Sequence, residues 1–148
     1  MIEKVRPVED AELLSQLVAL WRASVEATHD FLTSKDIERI AEYVPQAITS
    51  VPIFAIYRDE EGTSLGFIGI EGETIEMLFI DPDARGKGIG SKLLHYGVEE
   101  HGATKLDVNE QNDQAVGFYF HLGFEVVGRS EADSMGEPFP ILHLSLPQ

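Results

Sequence analysis

The run Leu78-Phe79-Ile80-Asp81-Pro82-Asp83-Ala84-Arg85-Gly86-Lys87-Gly88-Ile89-Gly90-Ser91 constrains the fold more than any other stretch of the chain. An apolar strand ends at a Pro turn, a glycine-rich loop follows, and a helix then begins. Helices must therefore pack on strands. The glycines let the backbone approach a ligand closely, and the loop amides with the helix dipole favour an anion there. The pattern predicts a phosphate-binding loop.

Two common phosphate motifs do not fit it. A P-loop needs two glycines separated by four residues and then Lys and Ser/Thr. Here Gly86-Lys87 is followed by Gly88, and no glycine precedes it at the required distance. The dinucleotide fingerprint needs G-x-G-x-x-G near the start of a βαβ unit. Gly86, Gly88 and Gly90 instead alternate, and several strands precede them.

Composition narrows the ligand further. A chain of 148 residues predicts a single domain over 1–148, large enough to bury roughly 70% of its unfolded surface. The chain has no cysteine, so it has no disulfide framework and no cysteine nucleophile. No apolar run approaches the ~20 residues of a membrane span, and no signal-peptide core opens the chain. A cytoplasmic protein without a membrane partner is expected. Twenty-six acidic residues against eleven Lys and Arg leave a net charge of −15, which argues against nucleic acid as a partner. That surplus either attracts a cationic substrate or simply keeps the surface soluble. A bound polyanion must be held locally, by amides and a few cations such as Arg85 and Lys87.

Periodicity gives the order of elements. Residues 2–8 read as a strand, and Leu14, Leu17, Val18, Trp21 and Val25 recur at helical spacing. A second helical pattern runs from Ile37 to Ile48, and Pro45 should kink or split it. Strands follow at 53–58, 64–71 and 74–80, with turns at 59–62 and at Gly72-Glu73. After the glycine loop, a helix with Ile89, Leu93, Leu94, Gly97 and Val98 on its buried face ends at Gly102. A strand at 104–108, a helix at 112–122 closed by Gly123, and strands at 124–130 and 141–146 complete the chain. The order β-α-α-β-β-β-α-β-α-β-β predicts an α+β protein. Its mixed central sheet has about seven strands, with helices on both faces.

The register that does fit the loop is Arg-x-x-Gly-x-Gly, met by Arg85, Gly88 and Gly90. It resembles the acyl-CoA loop of the GCN5-related N-acetyltransferase (GNAT) superfamily. A second segment resembles that superfamily's second signature: Asn112-x-x-Ala115-x-x-x-Tyr119, closed by Leu122-Gly123-Phe124. Four further stretches resemble the bacterial YjaB-type branch, over nearly the whole chain. They are Ser24-Val25-Glu26-Ala27-Thr28-His29-Asp30-Phe31-Leu32, Asn109-Glu110-Gln111-Asn112, Ala115-Val116-Gly117-Phe118-Tyr119 and Gly128-Arg129-Ser130-Glu131.

The resemblance implies a GNAT acyl-CoA N-acyltransferase fold and acetyl-CoA as co-substrate. It places the donor pyrophosphate on amides of Arg85, Gly86, Lys87, Gly88, Ile89, Gly90 and Ser91. The pantetheine arm would pair like an extra strand with Leu78, Phe79 and Ile80, in a slot opened by the strand at 104–108. Tyr119 matches the family's general acid. Its ordinary pKa near 10 keeps a proton for a leaving thiolate, although Phe118-Tyr119-Phe120 also reads as aromatic core. Asn112 lies about two helical turns, or ~10 Å, before Tyr119. Two roles are open to it, a hydrogen bond on the donor side and a helix N-cap.

A base is needed only if the acceptor amine is protonated. At pH 7 roughly one part in two thousand of a lysine-type amine is neutral, a deficit of about 4.6 kcal/mol, whereas an α-amine loses about 1–1.4 kcal/mol. Glu76 lies on the loop-bearing strand, where related enzymes place a base or a water-holding acid; alternation with Leu78 and Ile80 equally allows a surface acid. Asp107 is a second candidate. His29 and Phe31 follow the first helix, where the superfamily admits its acceptor, and His29 has the proton affinity of a base or serves as a plain capping residue. His95, His101, His121 and His143 are not spaced as metal ligands, and no metal is expected. Residues 131–140 form either an acidic lid or a solvated loop. The expected activity is direct acetyl transfer from acetyl-CoA to a small-molecule or peptide amine, by a monomer or homodimer. A silent acyl-CoA sensor and an O-acyl or longer-chain acyltransferase are the alternatives.

Overall fold

In the computed structural model, which describes residues 1–147, the alternation of strand-forming and amphipathic runs resolves into two units, Met1–Ala103 and Thr104–Gln148. The first holds β1 (Ile2–Lys4), α1 (Ala11–Thr28), α2 (Ser34–Ala41), α3 (Val44–Ser50), β2 (Ile53–Arg58), β3 (Ser64–Glu71), β4 (Thr74–Ile80) and α4 (Ile89–His101). Its strands pair antiparallel in the order β1-β2-β3-β4.

The first strand is shorter than the expected 2–8. Pro7 has no N–H for a ladder and instead opens a 3₁₀ turn at Pro7–Glu9. Asp10 then caps α1, its carboxylate accepting from the Leu13 amide at 3.0 Å. Pro45 splits the second helical pattern, as expected. It sits in the first turn of α3, where its missing N–H leaves no bond unmade. Thr33 and Asp36 form a reciprocal capping box that starts α2.

Alternation along the strands sends side chains to two faces. On one, Phe54, Ile56 and Phe67 pack with Leu13, Leu17, Trp21 and Val25 of α1 and with Ile37 and Ile48 of α2 and α3. Phe67 lies 5.2 Å from the Phe54 ring and 5.6 Å from the Phe79 ring. Each such fully buried side chain contributes roughly 1.5–3 kcal/mol. On the other face α4 lies close to β3. A Cβ at Gly97 would come 3.0 Å from Ile68 Cδ1 and 3.2 Å from Ile70 Cδ1, so glycine permits the approach. Helices flank both faces of this sheet.

The second unit holds β5 (Lys105–Asn109), α5 (Asp113–His121), β6 (Glu125–Ser130) and β7 (Ile141–Ser145). They pair antiparallel in the order β5-β7-β6. Leu106, Val108 and Leu144 are buried, whereas Lys105 and Asp107 at alternate positions are exposed. Gly123, at φ 98°, turns the chain out of α5. The described residues therefore carry seven strands and five α-helices, an α+β protein. No helix among them is long and apolar enough to cross a membrane.

Candidate active site

The glycine loop is a backbone cradle. Asp81 accepts from the Asp83 amide at 2.9 Å and sets a 3₁₀ turn at Pro82–Ala84. Gly86 and Gly88 then adopt φ of 79° and 75°, the left-handed region that glycine enters without steric cost. A Cβ on either would meet nothing within 4 Å, so the loop is open on that side. Gly88 is the N-cap of α4 and offers no side chain to its first amides. Those amides and the positive end of the helix dipole suit an anionic ligand. Buried Ile89 anchors the loop, Lys87 is exposed, and Arg85, Gly90 and Ser91 are half-buried.

On β4, Leu78, Phe79 and Ile80 pair along one edge with Ile68, Phe67 and Gly66. Simple alternation fails at Glu76. Ile75 pairs with Ile70 but Met77 pairs with Gly69, so Glu76 is left out of the register in a β-bulge and is exposed. The bulge, which the sequence pattern does not reveal, re-aims this carboxylate. The expected alternation of Glu76 with Leu78 and Ile80 is corrected.

His29 ends α1 as its C-cap, and its ring lies 5.3 Å from that of Phe31. The Thr28 hydroxyl donates to Ser24 O at 2.8 Å, so at 2.7 Å from His29 Nδ1 it must accept. The proton therefore sits on Nδ1, and Nε2 carries the basic lone pair. Burial and then the Arg85 guanidinium lower the His29 pKa below 6.5, against a smaller opposing effect of Asp30. His29 is neutral at neutral pH, the form a base requires.

In the second unit, Asn112 is the N-cap of α5, its Oδ1 accepting from the Ala115 amide at 3.3 Å. Tyr119 is buried between the rings of Phe118 and Phe124, at 5.2 and 5.8 Å. Burial pushes its phenol well above the ordinary value of 10. Asp107 is joined to a residue that sequence reasoning set aside: its Oδ1 lies 2.6 Å from His143 Nδ1, and His143 Nε2 lies 2.7 Å from Ser130 Oγ. In the 131–140 connection, Asp133 accepts from the Met135 and Glu137 amides at 2.9 Å, so it shapes the loop. Glu131 and Glu110 both pair with Arg129, at 3.3 and 2.8 Å.

An open glycine cradle at an uncapped helix start is a site for an anionic group such as a phosphate, and likeness to known proteins makes the class an acetyltransferase. Residues 50–126 match the family model described as the acetyltransferase (GNAT) domain. Over 89% of the chain and 90% of the relative, it is 43% identical to the peptidyl-lysine N-acetyltransferase YjaB of Salmonella typhimurium. It is 41% identical to Escherichia coli YjaB over 88% of each. The solution structure of apo YjaB from Escherichia coli superimposes with a TM-score of 0.87 at 39% identity, covering 98% of this chain and 95% of that one. The PaiA N-acetyltransferase of Thermoplasma acidophilum, solved with coenzyme A, shares the fold with a TM-score of 0.71 at 21% identity over 97% and 98%. The chain belongs to the GNAT family and is an N-acetyltransferase; enzymes of this family use acetyl-CoA.

Proposed function

We propose that this enzyme transfers acetyl from acetyl-CoA directly to the ε-amine of lysine side chains in peptides or proteins, as a cytoplasmic protein whose residues 1–148 act as one domain. The 43% identity over nearly the whole chain to a relative named for peptidyl-lysine acetylation carries this reading. The net charge of −15 is consistent with it, because a lysine acceptor is a cation.

The amides of Arg85, Gly86, Lys87, Gly88, Ile89, Gly90 and Ser91 hold the donor's pyrophosphate, with Arg85 and Lys87 adding positive charge. The backbone of Leu78, Phe79 and Ile80 aligns the pantetheine arm as an added strand would. Asn112, already fixed as an N-cap, offers its amide nitrogen to the donor side. The bound donor supplies the thioester carbonyl that the acceptor nitrogen attacks. His29 and Phe31 line the acceptor's entry, and Glu76 on its bulge holds the water or ammonium next to the carbonyl. Tyr119 donates a hydrogen bond to the departing sulfur. A free thiol has a pKa near 8.5, far below that of the buried phenol. Tyr119 therefore releases its proton only as the carbon–sulfur bond breaks and negative charge collects on sulfur.

The test is a panel of lysine peptides, N-terminal α-amines and small amines incubated with acetyl-CoA. Free CoA thiol is measured, and mass spectrometry locates the acetyl group. Acetylation concentrated on lysine ε-amines is expected. Transfer confined to α-amines or small amines would overturn the assignment of acceptor.

A further inference from the structure

On the β5-β7-β6 sheet, Asn109, Ile141 and Ser130 form one cross-strand row, and Asp107, His143 and Gly128 the next row on the same face. Residues in register share a face. Asn109, Asp107, His143 and Ser130 thus lie together, on the face opposite buried Leu106, Val108 and Leu144. A carboxylate only accepts, so His143 Nδ1–H donates to Asp107 Oδ1 across 2.6 Å. His143 Nε2 then carries a lone pair that accepts a hydrogen bond from the Ser130 hydroxyl across 2.7 Å. Gly128 leaves room for the ring: a Cβ there would stand 3.3 Å from His143 Cδ2. The side chains of His143 and Asp107 are 37% and 62% exposed, so their pairing adds little to stability. One row away, buried Asn109 Oδ1 has no hydrogen-bond partner and awaits a donor.

We propose that Ser130, His143 and Asp107 form a proton relay that deprotonates the ammonium group of the acceptor, with Asn109 Oδ1 accepting a second ammonium hydrogen. This rests on the acetyltransferase reading above and assigns the base that reading leaves open. One ammonium N–H bond breaks and its proton bonds to Ser130 Oγ, while the hydroxyl's own proton passes to His143 Nε2. The positive charge moves from the amine to the imidazolium beside Asp107, and the amine keeps the electron pair it needs for attack. His143 returns the proton to water. Ser130 is also the last residue of β6, at the start of the 131–140 connection.

Two peptides decide it: one with the acceptor lysine, the other with that lysine replaced by an aminooxy analogue whose nucleophile is already neutral at pH 7. His143→Gln and Ser130→Ala should each lower kcat/KM on the lysine peptide on the order of 10²-fold. Both should stay within a few-fold of wild type on the aminooxy peptide. Calorimetric binding of CoA confirms that each variant is folded, and Asp107→Asn provides a third. Equal losses on both peptides would mean a binding or structural role, and no loss on either would mean no role; both outcomes overturn the relay. Nitrogen-15 NMR of the ligand-free protein gives a readout independent of turnover: the proton should sit on His143 Nδ1, and an Nε2–H tautomer overturns the proposal. An acetyl group found on Ser130 would make it a nucleophile instead, and would overturn it too. If the wild type acetylates neither peptide, the acceptor assignment itself fails, which is distinct from a wild type that is active but indifferent to His143.

Discussion

The guanidinium of Arg85 lies close enough to the imidazole of His29 to lower its proton affinity. A cation of the glycine loop thus helps to hold the His29 ring neutral. Arg85→Gln should move the His29 pKa up toward 6.5, read by NMR titration of the His29 ring. Burial, the larger cause, remains in the variant, so the rise should be partial.

The same shift has a stability consequence with a fixed sign. The folded state holds the His29 pKa below 6.5, so between the two values the unfolded chain binds more protons. Stability should therefore fall as pH drops from 6.5 toward the folded-state value, and the His29 contribution is fully present above that window. His29→Gln should flatten this part of the profile. Urea midpoints on either side of pH 6.5 measure it, and an unchanged slope would count against the burial of a neutral His29.

Tyr119→Phe removes the hydroxyl and keeps the aromatic packing against Phe118 and Phe124. Acetyl transfer should drop roughly 10²-fold, with CoA binding retained and stability changed by about 1 kcal/mol or less. Steady-state kinetics beside denaturant unfolding would separate these effects. Full turnover in the variant would leave Tyr119 as core packing alone.

Gly88→Ala should be destabilising for a purely backbone reason. No atom lies within 4 Å of the added methyl, but φ is 75°, and a left-handed alanine costs about 1–2 kcal/mol. If the loop relaxes, the amides proposed to hold the pyrophosphate move, and KM for acetyl-CoA should rise while the acceptor KM stays constant.

Asn112→Ala removes the α5 cap, which should cost about 1 kcal/mol in thermal unfolding. Asn112→Asp should restore the cap but not a donated hydrogen bond. Acetyl-CoA affinity lost in both variants would assign Asn112 to the donor site, and affinity retained in Asn112→Asp would leave it a cap.

Much of this protein is written in local rules. The anion loop, the stop at Gly102, the split at Pro45 and the Asn112 cap each depend on residues within about one helical turn, where steric limits and orphaned amides allow few solutions. Sequence alone therefore determined the order of elements and the family, and it singled out the glycine loop. It misplaced the end of the first strand because pattern favours strand through residue 8, whereas Pro7 breaks the ladder.

What only the tertiary structure decided is non-local. Strand register slips at Glu76 because β4 must keep Met77 facing Gly69 and Ile75 facing Ile70, a match no periodicity encodes. Asp107 meets His143 across 36 residues, and His143 meets Ser130 across a connection of its own. Arg85 and His29 likewise act on each other from distant parts of the chain. A side chain's type is local, but its partner is chosen by sheet register, set by burial over whole strands. Hence the sequence alone pointed to the family and its glycine loop, while the contacts of Asp107, His143 and Ser130 emerged only once the strands were paired.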